Sequence, residues 1–444
     1  MMIYKNEKDF KKNGGIVFTD EGISIGDRDI FRKKCVDDLL DTIILGESDD
    51  AREMAFQTIR AAAKEFRVVP YSIQSLYEAK AKENLIHFTV PAINLRTLTC
   101  ELAGAVFRSV KKIDAGAFIF EIARSEIGYT EQRPIEYTAN LILAAVKEGY
   151  EGPIFIQGDH FQVNGKKFKE DREKEIGTIK SLILDAMDAG FYNIDIDSST
   201  LVDLSKESII EQQRLNYEVC AELNRFIREN QPEGLTVSVG GEIGEVGKQN
   251  STPEELRAFM NGFIELNQGY AGISKVSIQT GTSHGGVVLP DGSIAKVKID
   301  FETLKNLSRI AREEYGMSGA VQHGASTLPK DAFDHFPANE CSEVHLATQF
   351  QNIVYDFLPE DLRNNIYSWL DGNMQSERKP DLTDDQFYYK TRKKALGPFK
   401  KEIYSLPREL KDKIAAAMEE EFDFLFDKLN IKETRSIVDQ YIQV

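Results

Sequence analysis

Cysteine is scarce in this 444-residue chain, and the four present (Cys35, Cys100, Cys220 and Cys341) lie far apart without a C-x-x-C pair. Neither a disulfide framework nor a thiolate metal site is indicated. No apolar run approaches the ~20 residues that a membrane-spanning helix needs. The opening residues, Met1 to Asp9, lack the apolar stretch of a secretory leader, so a cytoplasmic location is expected. Cations are in the minority: 55 Lys and Arg against 72 Asp and Glu give a net charge of −17. Such a chain has no general basic surface for neutralising phosphates or anionic lipid, so neither nucleic acid nor a membrane is an expected partner. Low-complexity segments and short-period repeats are lacking too. Histidine is rare, at six residues, which makes its placement informative.

What is present is 41% hydrophobic residues, enough for a large core. Residues 1–85 are charged and helix-prone, with apolar residues at helical spacing over Asp37–Leu45 and Ala51–Ala63. From 86 to 355 the texture becomes short apolar runs separated by amphipathic stretches. Eight runs can be read: Ile86–Asn94, Ala117–Ala123, Ile154–His160, Asn193–Ser198, Leu235–Ile243, Lys275–Thr280, Ala320–His323 and Glu343–Thr348. Between them Ile176–Ala189, Ser208–Arg228, Pro253–Leu266 and Phe301–Tyr315 read as helices. Unbroken alternation of this kind predicts an α/β fold, a (β/α)8 TIM barrel. Residues 356–444 read as a charged helical extension, broken near Lys379-Pro380-Asp381, packed on the barrel or on a partner subunit.

Three of the six histidines, His160, His284 and His323, fall at or just after the ends of apolar runs. A barrel brings all strand ends to one mouth. Neutral imidazole is the commonest Zn²⁺ ligand, and three protein ligands with an open position make a catalytic zinc site. Glu242, at a fourth run, is a further or alternative ligand. The same mouth would collect Asn94, Ser125, Asp159, Asp197 and Thr348. Asp159 precedes His160 and suits a general acid or base within reach of metal-bound substrate, or else orients an imidazole. Small-residue turns, Gly285-Gly286 and Gly324-Ala325-Ser326, let backbone N–H groups approach an anion, although tight turns need glycine in any case.

Taken in order, these segments resemble the class II (zinc-dependent) fructose-bisphosphate and tagatose-bisphosphate aldolases over about residues 86–355. Val90-Pro91-Ala92-Ile93-Asn94 resembles the first-strand signature, and Gly158-Asp159-His160 the Asp-His pair. Ile196-Asp197-Ser198-Ser199 resembles the I-D-G-S segment, and Glu242-Ile243-Gly244 the E-L-G segment. Gly281-Thr282-Ser283-His284-Gly285 and His323-Gly324-Ala325-Ser326 resemble the segments carrying the other two zinc histidines. The resemblance implies one Zn²⁺, or another divalent ion, on His160, His284, His323 and Glu242. It implies proton transfer by Asp159 and reversible aldol cleavage of a ketose phosphate through a metal-stabilised enediolate. It also implies substrate contacts from Asn94, Ser125, Asp197, Gly285, Gly324, Ser326, His345 and Thr348, and a homodimer or higher homo-oligomer.

The departures from the family pattern concern the substrate. The loop after E-L-G lacks its usual glutamate, for which Glu245 is a substitute. Val288 stands where a phosphate-binding lysine is usual, with Lys296 or a neighbouring subunit as possible compensation. The eighth strand reads Glu343-Val344-His345-Leu346-Ala347-Thr348 in place of K-x-N-x-A/D-T. If Glu343 lay near the anion it would repel it. A non-catalytic accessory subunit and a metal-dependent sugar isomerase or epimerase on the same barrel stay open as alternatives.

Overall fold

The computed structural model describes residues 2–12, 14–20, 22–244, 249–281, 289 and 299–444. Eight parallel strands form the barrel: β1 (Val90–Asn94), β2 (Ile119–Ala123), β3 (Gly152–Gln162), β4 (Asn193–Asp197), β5 (Ser238–Glu242), β6 (Lys275–Ile278), β7 (Ala320–Gln322) and β8 (Glu343–Leu346). Each hydrogen-bonds to its sequence neighbour, and β8 returns to β1 with Val344 opposite Pro91. Closure leaves the eight barrel strands paired on both sides. The chain is a (β/α)8 TIM barrel, and each of the eight apolar runs supplies one of its strands.

The helices between strands begin and end where local chemistry directs. Thr252 and Glu255 form a reciprocal cap ahead of Pro253–Leu266, with proline at its first turn. Asp300 caps Phe301–Tyr315, and Gly316 at φ 67° closes it. Helices Arg172–Ala189 and Ile209–Asn230 also match the amphipathic stretches read from the sequence.

The segment before the barrel differs from the helical reading. Its helices Val36–Leu45 and Asp49–Glu65 are present, but Ile16–Thr19 pairs antiparallel with Gly22–Ile25. A further strand, Val68–Tyr71, pairs parallel with the first residues of β3, from Val68↔Gly152 to Tyr71↔Phe155. Its run Val68-Val69-Pro70-Tyr71 is too short to stand out by periodicity; the extra length of β3 gives it a partner.

The C-terminal segment packs on the barrel. Helix Arg408–Lys428 lies against Thr99–Lys112, where Glu419 pairs with Arg108 at 2.5 Å and with Lys112 at 2.5 Å. Thr434 accepts from the Gly116 and Ala117 amides just before β2. Upstream, the 3₁₀ turn Arg392–Ala395 packs on helix Arg124–Thr130, and the Gly397 amide donates to the Tyr129 carbonyl at 3.0 Å. That contact carries a distant stretch of chain to the mouth.

Candidate active site

Asp159 and His160 face the same cavity because β3 is irregular. In a regular strand neighbouring side chains point to opposite faces. Pairing of β3 with β4 slips between Gly158 and Phe161, and His160 adopts φ 41°. The bulge breaks the alternation and re-aims the side chains. A non-glycine residue held there stores roughly 1–3 kcal/mol of strain. Gly158 permits the fold, since a Cβ at that position would lie 2.4 Å from the Phe161 ring.

His160 Nε2 lies 3.0 Å from His323 Nδ1, and the two rings are 4.2 Å apart. The other nitrogen, His160 Nδ1, lies 3.0 Å from Asp197 Oδ2 and 3.1 Å from Glu242 Oε2. Asp159 Oδ1 is 3.8 Å from His160 Nε2. Two sets of metal-type donors therefore share His160: one with Asp159 and His323, the other with Asp197 and Glu242, each within 4.8 Å. Imidazole and carboxylate donors converging on one point fit a divalent cation of the zinc or iron class.

The electrostatics match. Burial lowers the affinity of His160 for a proton, but the charges of Asp159 and Glu242 and the bond to Asp197 outweigh it and hold its pKa well above the usual imidazole range. Burial, reinforced by the charge of Asp197, pushes Glu242 up to about 7. Asp197 is also pushed up by burial, yet hydrogen bonds from His160, Ser199 and Gln162 prevail and keep it below the ordinary carboxylate range. Such a surplus of carboxylate around two imidazoles is a receptor for positive charge.

A cavity of about 460 Å³ opens above these groups, lined by Asn94, Ser125, Asp159, His160, His323, Gly324, Ser326, His345 and Thr348 among others. Ser326 Oγ accepts from the Thr348 amide at 3.0 Å, and Asn94 Nδ2 donates to Glu126 at 2.6 Å. Asp197 does not line the cavity. Its carboxylate is bonded to His160, Gln162 and Ser199, an arrangement that suits orienting the imidazole. Glu343 is fully buried and is not among the residues lining the cavity, so the condition under which it would repel an anion is not met. His284, Gly285, Glu245, Val288 and Lys296 lie outside the described residues.

Several residues of the site escaped the reading of the sequence. Arg96, Arg124, Lys167 and Lys393 line the cavity, as does Glu121. Glu126, at the start of Arg124–Thr130, gathers Asn94, Arg96 and the Ala123 amide. A signal for Glu121 was available: it is a charged residue at the centre of an apolar run. None existed for Lys393, which lies in a polar stretch far from the barrel strands.

The fold is a closed parallel barrel, and its mouth joins two imidazoles to carboxylates in a donor set of the kind that ligates a divalent ion. The chain belongs to the class II fructose-bisphosphate aldolase family, whose sequence model matches residues 74–427, beyond both ends of the segment that the motifs cover. No curated protein matches it. Among solved structures it is similar to the glycerol-complexed fructuronate-tagaturonate epimerase of Cohnella laeviribosi, at 14% identity over 84% of this chain and 86% of that one, TM-score 0.60. It is also similar to a fructose-bisphosphate aldolase of Campylobacter jejuni, at 17% identity over 82% and 96%, TM-score 0.49. At 14% identity the likeness to the epimerase is one of fold alone. Among the described residues no helix is long and apolar enough to cross a membrane.

Proposed function

We propose that this chain is a metal-dependent aldolase that cleaves a ketose bearing an anionic group, with Zn²⁺ as the expected ion. The observation that carries the reading is the approach of His160 and His323 at 3.0 Å beside Asp159 in the cavity of a class II family member. His160 and His323 would hold the ion, with His284 as third ligand. Glu242 faces the nitrogen of His160 turned away from His323, so it suits an alternative ion position better than a fourth place in the same set. A bound divalent ion supplies Lewis-acid polarisation of the ketose carbonyl and stabilises the charge left when the C3–C4 bond breaks. Asp159 accepts the proton of the C4 hydroxyl in cleavage and returns it in condensation. Asp197, bonded to His160, fixes the ring that the ion needs.

The cations among the lining residues support an anionic substrate. Arg96 pairs with Glu126 at 2.7 Å and Arg124 with Glu175 at 2.6 Å, whereas Lys167 and Lys393 make no ion pair with any described residue. In a chain of net charge −17, the two unpaired lysines bring positive charge to the cavity that a sugar phosphate would enter. They would supply from other elements the charge that Val288 lacks.

Metal analysis of the purified protein, with a triose-release assay over ketose phosphates, tests the reading. One divalent ion per chain and triose release are expected, both lost in His160→Ala. Metal-loaded protein that releases no triose from any of them would refute the cleavage step. C4-epimer formation without triose release would instead assign an epimerase.

A further inference from the structure

The barrel interior beneath the cavity is ionic where barrels of this kind are usually apolar. Glu121, Gln157, Asp195, Lys275 and Glu343 point into it from β2, β3, β4, β6 and β8, all nine-tenths or more buried. Lys275 Nζ contacts Glu343 Oε1 and lies 3.0 Å from Asp195 and 2.6 Å from Gln157. The hydroxyl of Tyr77, from helix Gln74–Lys82, donates to the other oxygen of Glu343. Gln157 Nε2 donates to Glu343 Oε1 at 3.0 Å. Glu343 is therefore gripped on both oxygens by groups that cannot turn away.

The free direction of that grip leads upward. Glu343 Oε1 lies 2.6 Å from His345 Nε2, two residues along β8 on the same face. On its far side His345 Nδ1 lies 2.9 Å from Glu121 and 3.2 Å from Asp159 Oδ1. Glu121, Asp159 and His345 reach the cavity, whereas Glu343 and Lys275 do not. Burying this many charges costs several kcal/mol per ion unless they are paired, and apolar residues would fill the space more cheaply. What the apolar alternative cannot do is hold an imidazole in one orientation under Asp159.

We propose that Glu343, clamped by Lys275 and Tyr77, is a positioning residue that sets His345 and, through it, the carboxylate of Asp159. The inference rests on the reading of Asp159 as the group that moves the proton. It differs from a structural role in one respect: Glu343 must accept from His345, and so cannot be replaced by any other way of neutralising Lys275.

The test uses Glu343→Gln and the charge swap Lys275→Glu/Glu343→Lys in the full-length, metal-loaded protein. In Glu343→Gln, kcat should fall by about 10- to 100-fold, the range for residues that orient a site, with KM and metal content unchanged. The swap keeps an ion pair in the core but removes the carboxylate 2.6 Å from His345 Nε2 and leaves Asp195, at 3.9 Å, as the nearest other, so it should not restore kcat. Unchanged kcat in Glu343→Gln, or recovery in the swap, would overturn the proposal. A readout free of turnover separates it from the functional reading. The hydrogen-bonded imidazole N–H of His345 should give a far-downfield proton resonance, assigned by its loss in His345→Asn. In Glu343→Gln the amide oxygen still accepts but carries no charge, so an upfield shift or loss of the signal supports the link even if no ketose is cleaved, and an unmoved signal refutes it.

Discussion

Replacing Lys393 with Met tests whether a residue of the C-terminal segment recognises the substrate. The substitution keeps an unbranched stem at the cavity wall and removes the charge. Lys393 Nζ lies 5.8 Å from the Tyr129 ring centroid and has no carboxylate partner among the described residues. Burial first, and the charge of Arg96 second, hold its pKa below the ordinary lysine range. An anion placed between Lys393 and Arg96 relieves both effects and gains a charge-assisted contact, worth about 1.5–3 kcal/mol. At 1.36 kcal/mol per decade, its loss should cost about 10- to 150-fold in kcat/KM. The comparison that matters is between a ketose phosphate and the same ketose without phosphate. Lys393→Met should lower kcat/KM for the phosphorylated sugar alone, with metal content intact. An equal loss on both would mean that the side chain matters through packing, and no loss would place the anion elsewhere.

Other expectations follow from single residues. Asp159→Asn keeps the size but removes the proton acceptor, so metal should remain while turnover falls by roughly 10²–10⁴-fold; unchanged turnover would leave Asp159 a structural role. Gly158→Ala drives a methyl group into the Phe161 ring, 2.4 Å from its nearest atom, so the bulge should shift. A cost of about 1–3 kcal/mol in denaturant unfolding is expected, with weaker metal retention, and a neutral result would show that the bulge tolerates a side chain. Lys80 is buried and donates to the Phe88 carbonyl at 2.9 Å, and burial lowers its pKa from 10.5 to about 7. Between those values the unfolded chain binds more protons than the folded one, so this lysine makes stability rise with pH. At 1.36 kcal/mol per unit the span is roughly 4–5 kcal/mol. The stability difference between wild type and Lys80→Met should therefore climb from pH 7 to 10, and a flat difference would refute the lowered pKa.

Much of the architecture could be read locally. β-Branched runs such as Lys275–Ile278 and amphipathic ones such as Phe301–Tyr315 carry their own periodicity, so strands and helices emerged close to their observed bounds. Strand-end histidines could be read as a site because closure brings every strand end to one mouth. Even the polar interior left a trace, since Glu121 and Asp195 interrupt apolar runs and Lys275 opens one.

Tertiary structure alone decided the rest. That Asp159 and His160 share a cavity depends on a bulge with His160 at φ 41°, an arrangement that Gly158 permits and that pairing with β4 fixes. That Glu343 meets Lys275 and not the substrate depends on the register of β8 against β1 and on closure across the barrel. Lys393 reaches the mouth because its 3₁₀ turn docks on Arg124–Thr130. Periodicity reports which face of an element is buried, and for that the chain needs only its near neighbours. Which residues meet on that face is set by register, closure and docking, whose energies come from contacts between segments far apart in sequence.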